Sequence, residues 1–479
     1  MILVFALVLS GCSNNSTANT ETSQEIKISE DTKEKETSKK VYKKIKVSTN
    51  GKASKVSKVS KDMQAIEDGN TSYIEGTDFQ YQYLSKANHV NYIAKGRDCT
   101  YFCIEEHIYQ LDEKTEILTP LCNKSNCLHE NEWDSDQEAK CNAFISGENE
   151  NVGIAYMDGF IYSVMSKEKG EKEFDVLYKI AEDGSTREVV YQWDEGVVQS
   201  WCVHRDVFYY VDCTYNEKNK ECFTVKEIPL SGVGEVTPKT IYETEKGISV
   251  YAFNAIQAYG TYLYFTVNGT TTEDEDKTLG ENWAEYTYTK TFRYNMQDKT
   301  IAEIKVPNQS DTEIVGDITF WNDKIIYHAF DLKKNHDYTA TKDVYMAELD
   351  GTNATVLIKD MPIYRWYSSD GNYLYVSNCP EALDRIYSDP DYIDNMNNNV
   401  DVEYDFTVTI DVYDKNMNLV DTMQSPFKDF PAETAYGIGD KMYVAVRKEA
   451  GDEVTIEYWD KNELGTIKGK EFSLAKIGE

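Results

Sequence analysis

RDVFYYV (205–211) opens on a polar pair suited to a turn and continues through β-branched and aromatic residues, the usage of a strand rather than a helix. The same form recurs as RDCTYFC (97–103), DGFIYSV (158–164), GTYLYFT (260–266), NDKIIYH (322–328), DGNYLYVS (370–377) and GDKMYVA (439–445). Each copy centres on a tyrosine: Tyr101, Tyr162, Tyr209, Tyr264, Tyr327, Tyr375 and Tyr443. A further segment follows in every unit, as in VLYKIAEDG (176–184), TFRYNMQDK (291–299) and TIDVYDKNM (409–417). It alternates apolar and polar residues and closes on Asp, Asn or Gly, where a hairpin must turn. Seven in-phase units, each able to supply four strands, predict an all-β, seven-bladed β-propeller over residues 72–479. A pair of β-sandwiches with similar hairpins has no reason to keep that phase. The tyrosines stand about 57 residues apart, above the ~40–50 of familiar propeller repeats, and loop insertions account for the excess.

Composition agrees and narrows the function classes. The chain holds 36 Tyr and carries a net charge of -33 from 83 acidic and 50 basic residues. Most of such a surface repels a nucleic-acid duplex, so DNA or RNA binding is not expected. Beyond residue 12 no run of 18 apolar residues occurs, so no membrane-spanning helix is expected there.

LVLSGCSNN (7–15) ends an apolar run on Leu9, Ser10, Gly11 and Cys12. These four residues resemble the bacterial lipobox, in which cleavage before the cysteine frees a residue that takes a diacylglycerol. The resemblance implies a signal peptide over 1–11, lipidation at Cys12, and a protein held by lipid at the outer, extracytoplasmic face of the cell membrane. No Lys or Arg precedes the run, which departs from the signal-peptide pattern and leads us to expect a start further upstream. Residues 12–71 are poor in aromatics and rich in Lys, Ser and Thr, too polar to bury a core, and are expected to form a disordered linker. As a flexible coil it would span roughly 40 Å r.m.s.. Within it, residues 37–61 hold nine Lys and no acid. That stretch is either a solvated spacer or a segment lying on anionic lipid or cell-wall polymer. Lys outnumbers Arg 43 to 7, which together with the lipobox suggests a Gram-positive exterior.

The repeated strands also resemble the YWTD-like propellers of extracellular receptors and bacterial surface lipoproteins, in which "dG-x-hY" opens the second strand and "hY-x-h-x-x-dG" closes the third. The most specific constellation lies elsewhere, in LCNKSNCLHENEWDSDQEAKCNAF (121–144), which spaces Cys122, Cys127, His129 and Cys141 as C-x4-C-x-H-x11-C. Three thiolates and an imidazole suffice for tetrahedral zinc. The spacing resembles the "CxxxxCxH…CNA" loop of uncharacterised Gram-positive propeller lipoproteins, a family with no activity to lend. A disulfide such as Cys122 to Cys141 is the competing reading for an exported chain. Either clamp is structural, since a closed four-ligand site leaves no position for a water. Cys213 and Cys222 flank a hairpin and form a second candidate disulfide, while Cys99, Cys103, Cys202 and Cys379 read as small core residues.

No G-x-S-x-G, H-E-x-x-H, Walker loop or G-x-G-x-x-G occurs, and no catalytic residue is assigned. His89, His107, His204, His328 and His336 are isolated and read as strand or loop residues. TTEDEDKTLGENWAEYTYT (271–289) joins acids to Trp283, Tyr286 and Tyr288, a mixture suited to stacking on sugar or gripping peptide, or else a solvated insertion. SDPDYIDNMNNNVDVEYD (388–405) is rich in oxygen donors but lacks calcium-loop spacing. The expected function is a non-enzymatic binding or scaffold module for a glycan, cell-wall polymer or surface protein. The alternative is a propeller hydrolase or lyase acting on glycans through carboxylates from several blades.

Overall fold

The turns set the strands. Asp158 and Gly159, Arg205 and Asp206, and Asn322 and Asp323 each give two consecutive residues with φ between 45° and 85°. Paired left-handed residues make the two-residue turn whose twist matches antiparallel strands. Asp, Asn and Gly tolerate that conformation; Arg205, at φ 45°, is the exception.

The structure is a computed structural model that describes residues 69–75, 77–78 and 92–477, apart from a set of loop segments of which 130–140, 379–408 and 425–435 are the longest. All of them belong to one unit, Ser60–Glu479. It is a seven-bladed β-propeller with blades over 93–120, 155–192, 197–243, 249–304, 313–362, 367–424 and 436–477. Each blade is an antiparallel meander of four strands, A to D in chain order. The A strands of neighbouring blades touch, so A is innermost and D is the outer edge. Among the described residues no helix is long and apolar enough to cross a membrane.

All seven repeat tyrosines lie on strand B and are buried. Their hydroxyls join blades: Tyr101 of blade 1 donates to the carbonyl of Glu182 in blade 2 at 3.1 Å, and Tyr264 of blade 4 to that of Leu349 in blade 5 at 2.5 Å. Both acceptors sit in the C–D turn of the following blade. Rings complete the joints, as where Tyr259 stacks on Phe320 at 4.7 Å and Tyr101 on Tyr156 at 5.8 Å. At these two positions a tyrosine fills an inter-blade seam with its ring and ties the next blade with its hydroxyl, whereas Tyr375 donates to Asp370 in its own blade at 2.7 Å.

Among the described residues the ring closes without exchanging a strand between blades 1 and 7. The outer strand of blade 1, Ile117–Pro120, instead pairs in parallel with the last strand, Ser473–Ile477, through Ile117 with Lys476 and Leu118 with Ile477. Nearer the axis, Phe102 meets Tyr443 edge to face at 5.2 Å.

Residues 69–78 form a strap over blades 3 and 4, and it includes 69–71, which the sequence assigns to the linker. Buried Asp78 takes both Nε and Nη2 of Arg205 at 2.7 Å. Arg205 also donates to the carbonyls of Asn70 at 3.0 Å and Ser72 at 3.1 Å. Gly260 must be glycine: its φ is +57°, and a Cβ there would lie 1.8 Å from the carbonyl oxygen of Thr71. Arg205 and Gly260 are A–B turn residues, so the strap docks at the end of the blades that carries the A–B and C–D turns.

Candidate metal centre and loop face

The cysteine loop starts where the outer strand of blade 1 ends. The N–H of Leu121 donates to Ile108 O at 2.8 Å, and the N–H of Cys127 to Lys124 O at 3.1 Å, which folds the first two thiols back on each other. The returning limb is fixed on blades 1 and 2. The N–H of Ile108 donates to Ala143 O at 2.9 Å, Asn142 Nδ2 to Gly184 O at 2.8 Å, and Arg187 to the carbonyls of Cys141 at 3.3 Å and Phe144 at 2.6 Å. Gly184 sits at φ +69° with Leu121 O only 2.6 Å from where a Cβ would be, so the loop can seat only on a glycine turn.

This framework gathers Cys122, Cys127, His129 and Cys141. One ligand atom from each lies within 4.8 Å of all the others, and the group can hold a metal ion. A tetrahedral zinc with Zn–S near 2.3 Å and Zn–N near 2.0 Å needs donors about 3.5–3.8 Å apart, so a contraction of about 1 Å suffices. His129 Nδ1 stands 3.5 Å from Cys141 Sγ, with the backbone of His129 left-handed at φ 53°. Cys122, Cys127 and Cys141 are free thiols.

The electrostatics suit ligation. Burial alone would raise the Cys122 thiol, but hydrogen bonds from the backbone at Lys124 and Asn142 and from the Cys127 and Cys141 thiols bring it below its ordinary value. Burial, together with the adjoining Cys122, pushes Cys141 up to about 12. Burial lowers His129, which keeps the imidazole neutral with a lone pair to donate. A metal arriving at neutral pH must therefore displace the Cys141 proton.

The other sequence candidates are placed differently. Cys213 pairs in register with Phe223 and Cys222 with Thr214. Cys99, Cys103 and Cys202 lie at strands, the last two buried. His204 and His328 are buried: His204 Nε2 meets the carbonyl of Gly260 at 2.7 Å, and His328 Nδ1 meets Tyr367 Oη at 3.3 Å. Burial holds His204 below the ordinary imidazole value, although Asp78 works against this.

Cys12, Trp283, Cys379 and loop 388–405 lie outside the described residues. Tyr286 and Tyr288 are half-buried at the end of blade 4 where strands B and C connect. The carbonyl of Tyr286 accepts from the N–H of Thr271 at 2.7 Å, closing the base of the 271–289 loop. Tyr288 packs on the cluster shared by blades 3 and 4, and Lys277 stands 5.6 Å from the Tyr286 ring. On the other face of the same strands, Asn268 Nδ2 and Thr287 Oγ1 are buried with no hydrogen-bond partner among the described residues.

Sequence reasoning missed two buried clusters. One is Asp78 with Arg205. In the other, Asp370, fully buried, takes Lys461 Nζ at 2.6 Å and Tyr375 Oη at 2.7 Å. The backbone N–H groups of Asn372 and Tyr373 also donate to Asp370, at 2.9 and 2.7 Å. With every lone pair engaged, it holds blade 6 to blade 7 rather than acting as a base. Nothing in the repeat marked these clusters out, since Arg and Asp also stand at the same turn position at Arg97 and Asp158.

No family model matches this chain, and no curated protein matches it significantly. Solved structures similar to it include the β-propeller domain of the Trilobed protease from Pyrococcus furiosus, at 13% identity and TM-score 0.41, over 68% of this chain and 84% of that one. Oligogalacturonate lyase from Vibrio parahaemolyticus aligns at 12% identity and TM-score 0.40, over 84% and 90% of the two chains. An acylaminoacyl peptidase aligns at 14% identity and TM-score 0.42, over 72% of this chain and 48% of that one. At these levels nothing about activity passes from them to this chain.

Proposed function

We propose that this chain is a lipid-anchored, extracytoplasmic propeller that binds a glycan or cell-surface partner without turning it over, with one structural zinc at Cys122, Cys127, His129 and Cys141. The observation that carries the binding reading is the inequality of the two ends of the blades. The strap docks among short A–B and C–D turns, whereas the connections 271–286 and 379–408 both join strands B and C and leave from the opposite end. The strap thus covers part of the turn end and leaves the end where strands B and C connect uncovered by it. Tyr286 and Tyr288, half-buried at the base of one such connection, supply aromatic area at that end.

Binding is tested by titrating cell-wall glycan fragments against a chain beginning at residue 69. A glycan should bind and be recovered intact, and Tyr286→Ala with Tyr288→Ala should weaken its binding. Recovery of cleaved fragments would instead establish the hydrolase or lyase reading. Anchoring is tested by fractionation, with Cys12→Ala expected to move the protein from membranes to the soluble fraction. An unmodified Cys12 thiol in the parent, with unchanged fractionation of the variant, would exclude a lipid at that residue.

A further inference from the structure

The geometry points to the three-cysteine, one-histidine centre as the latch of the propeller ring: metal held there fixes the outer strand of blade 1, and through it the last strand of the chain. This rests on the zinc reading above. Blades 1 and 7 are each built from consecutive strands, so among the described residues no exchanged strand locks the ring. At the outer edge, closure consists of two residue pairs between Ile117–Pro120 and Ser473–Ile477. Parallel pairing is the less stable kind per residue, and a ladder this short does not hold itself together.

The strand on which that ladder depends has little of its own to hold it. It is four residues long, and Leu118 alone among them is buried, while Ile117 is 42% exposed. On its inner side it pairs with His107–Asp112. Its C-terminal end runs through Leu121 directly into Cys122, the first ligand. Ligation joins Cys122 to Cys141 and His129, and the Cys141 limb is the part of the loop bonded to blade 2 at Gly184 and Arg187 and to blade 1 at Ile108. With metal bound, the end of the strand is tied to two blades. Without it, Cys122 is joined to the Cys141 limb only by weak bonds to its sulfur, such as that from the N–H of Asn142 at 3.4 Å, and the strand can fray together with the partner at the other end of the ladder.

Amide hydrogen exchange on the full chain, zinc-loaded and after EDTA, tests the latch, with metal content measured in both samples. Removal of one bound zinc should speed exchange roughly tenfold in 117–120 and also in 473–477, while strand B of blade 4 (Tyr262–Thr270) keeps its protection. Faster exchange at 117–120 with 473–477 unchanged would overturn the latch and leave the zinc site standing. A protein that takes up no zinc would overturn both. Coupling of this kind is reciprocal, so deleting residues 473–479 should weaken zinc binding by the same factor. Unchanged zinc affinity in a folded deletion variant would also overturn it.

Discussion

Stripping zinc from the protein is expected to lower its melting temperature by roughly 5–10 °C. A ligand present at a thousand times its dissociation constant stabilises the folded state by about 4 kcal/mol, and a chain of this size loses one to three degrees for each kcal/mol. Metal analysis of the reduced protein should find about one zinc, and cobalt(II) in its place should give the absorption of a tetrahedral thiolate site. Among ligand substitutions Cys141→Ser should cost most, because its sulfur is the one fully buried donor and the loop around it is bonded to both blades. His129→Ala removes a partly exposed ligand whose place a water can take. The competing disulfide makes the opposite prediction: no bound metal, no effect of EDTA, and a Cys122 to Cys141 crosslink in the unreduced protein. The thiols can behave in either way, but only the metal engages His129, and its imidazole is placed 3.5 Å from Cys141 Sγ.

The propeller was legible because its repeat is local. A turn of Gly, Asp or Asn followed by an alternating run with a central tyrosine specifies strand B by itself, and seven copies specify the blade count. The reason for the tyrosine was not legible, since Tyr101 and Tyr264 donate to carbonyls 81 and 85 residues away in the following blade. The cysteine loop was legible as a set of donors but not as a choice between metal and crosslink. Spacing brings Cys122, Cys127 and His129 together, whereas the position of Cys141 depends on Asn142 and Arg187 bonding across to blade 2. For Cys213 and Cys222 the strands set the register, with Cys213 opposite Phe223 and Cys222 opposite Thr214, which the hairpin's sequence alone did not fix. The strap was invisible because Asp78 belongs to no repeat and meets Arg205 127 residues later.

Arg205→Ala is expected to destabilise the propeller by about 3–5 kcal/mol, the usual cost of leaving one member of a buried ion pair without its partner. Asp78 is buried, and Arg205 provides both of its charged hydrogen bonds as well as the donors for Asn70 O and Ser72 O. A urea midpoint measured against the parent reads the loss, and protease cleavage within 69–78 shows whether the strap has come away. Asp78→Leu with Arg205→Met should cost less than Arg205→Ala alone, since it removes both charges and roughly keeps their volume. Gly260→Ala probes the same contact without touching the ions: its Cβ would collide with Thr71 O, and its φ of +57° disfavours alanine, so it too should expose 69–78 to protease. Acid should work in the same direction. Burial keeps His204 neutral in the folded protein, so as pH falls below about 6.5 the unfolded chain binds that proton first and stability declines. If Arg205→Ala and Gly260→Ala both left the midpoint and the cleavage pattern unchanged, the strap would be an incidental contact. If both expose it, the ion pair and the close approach at Gly260 together hold the strap on the turn end of blades 3 and 4.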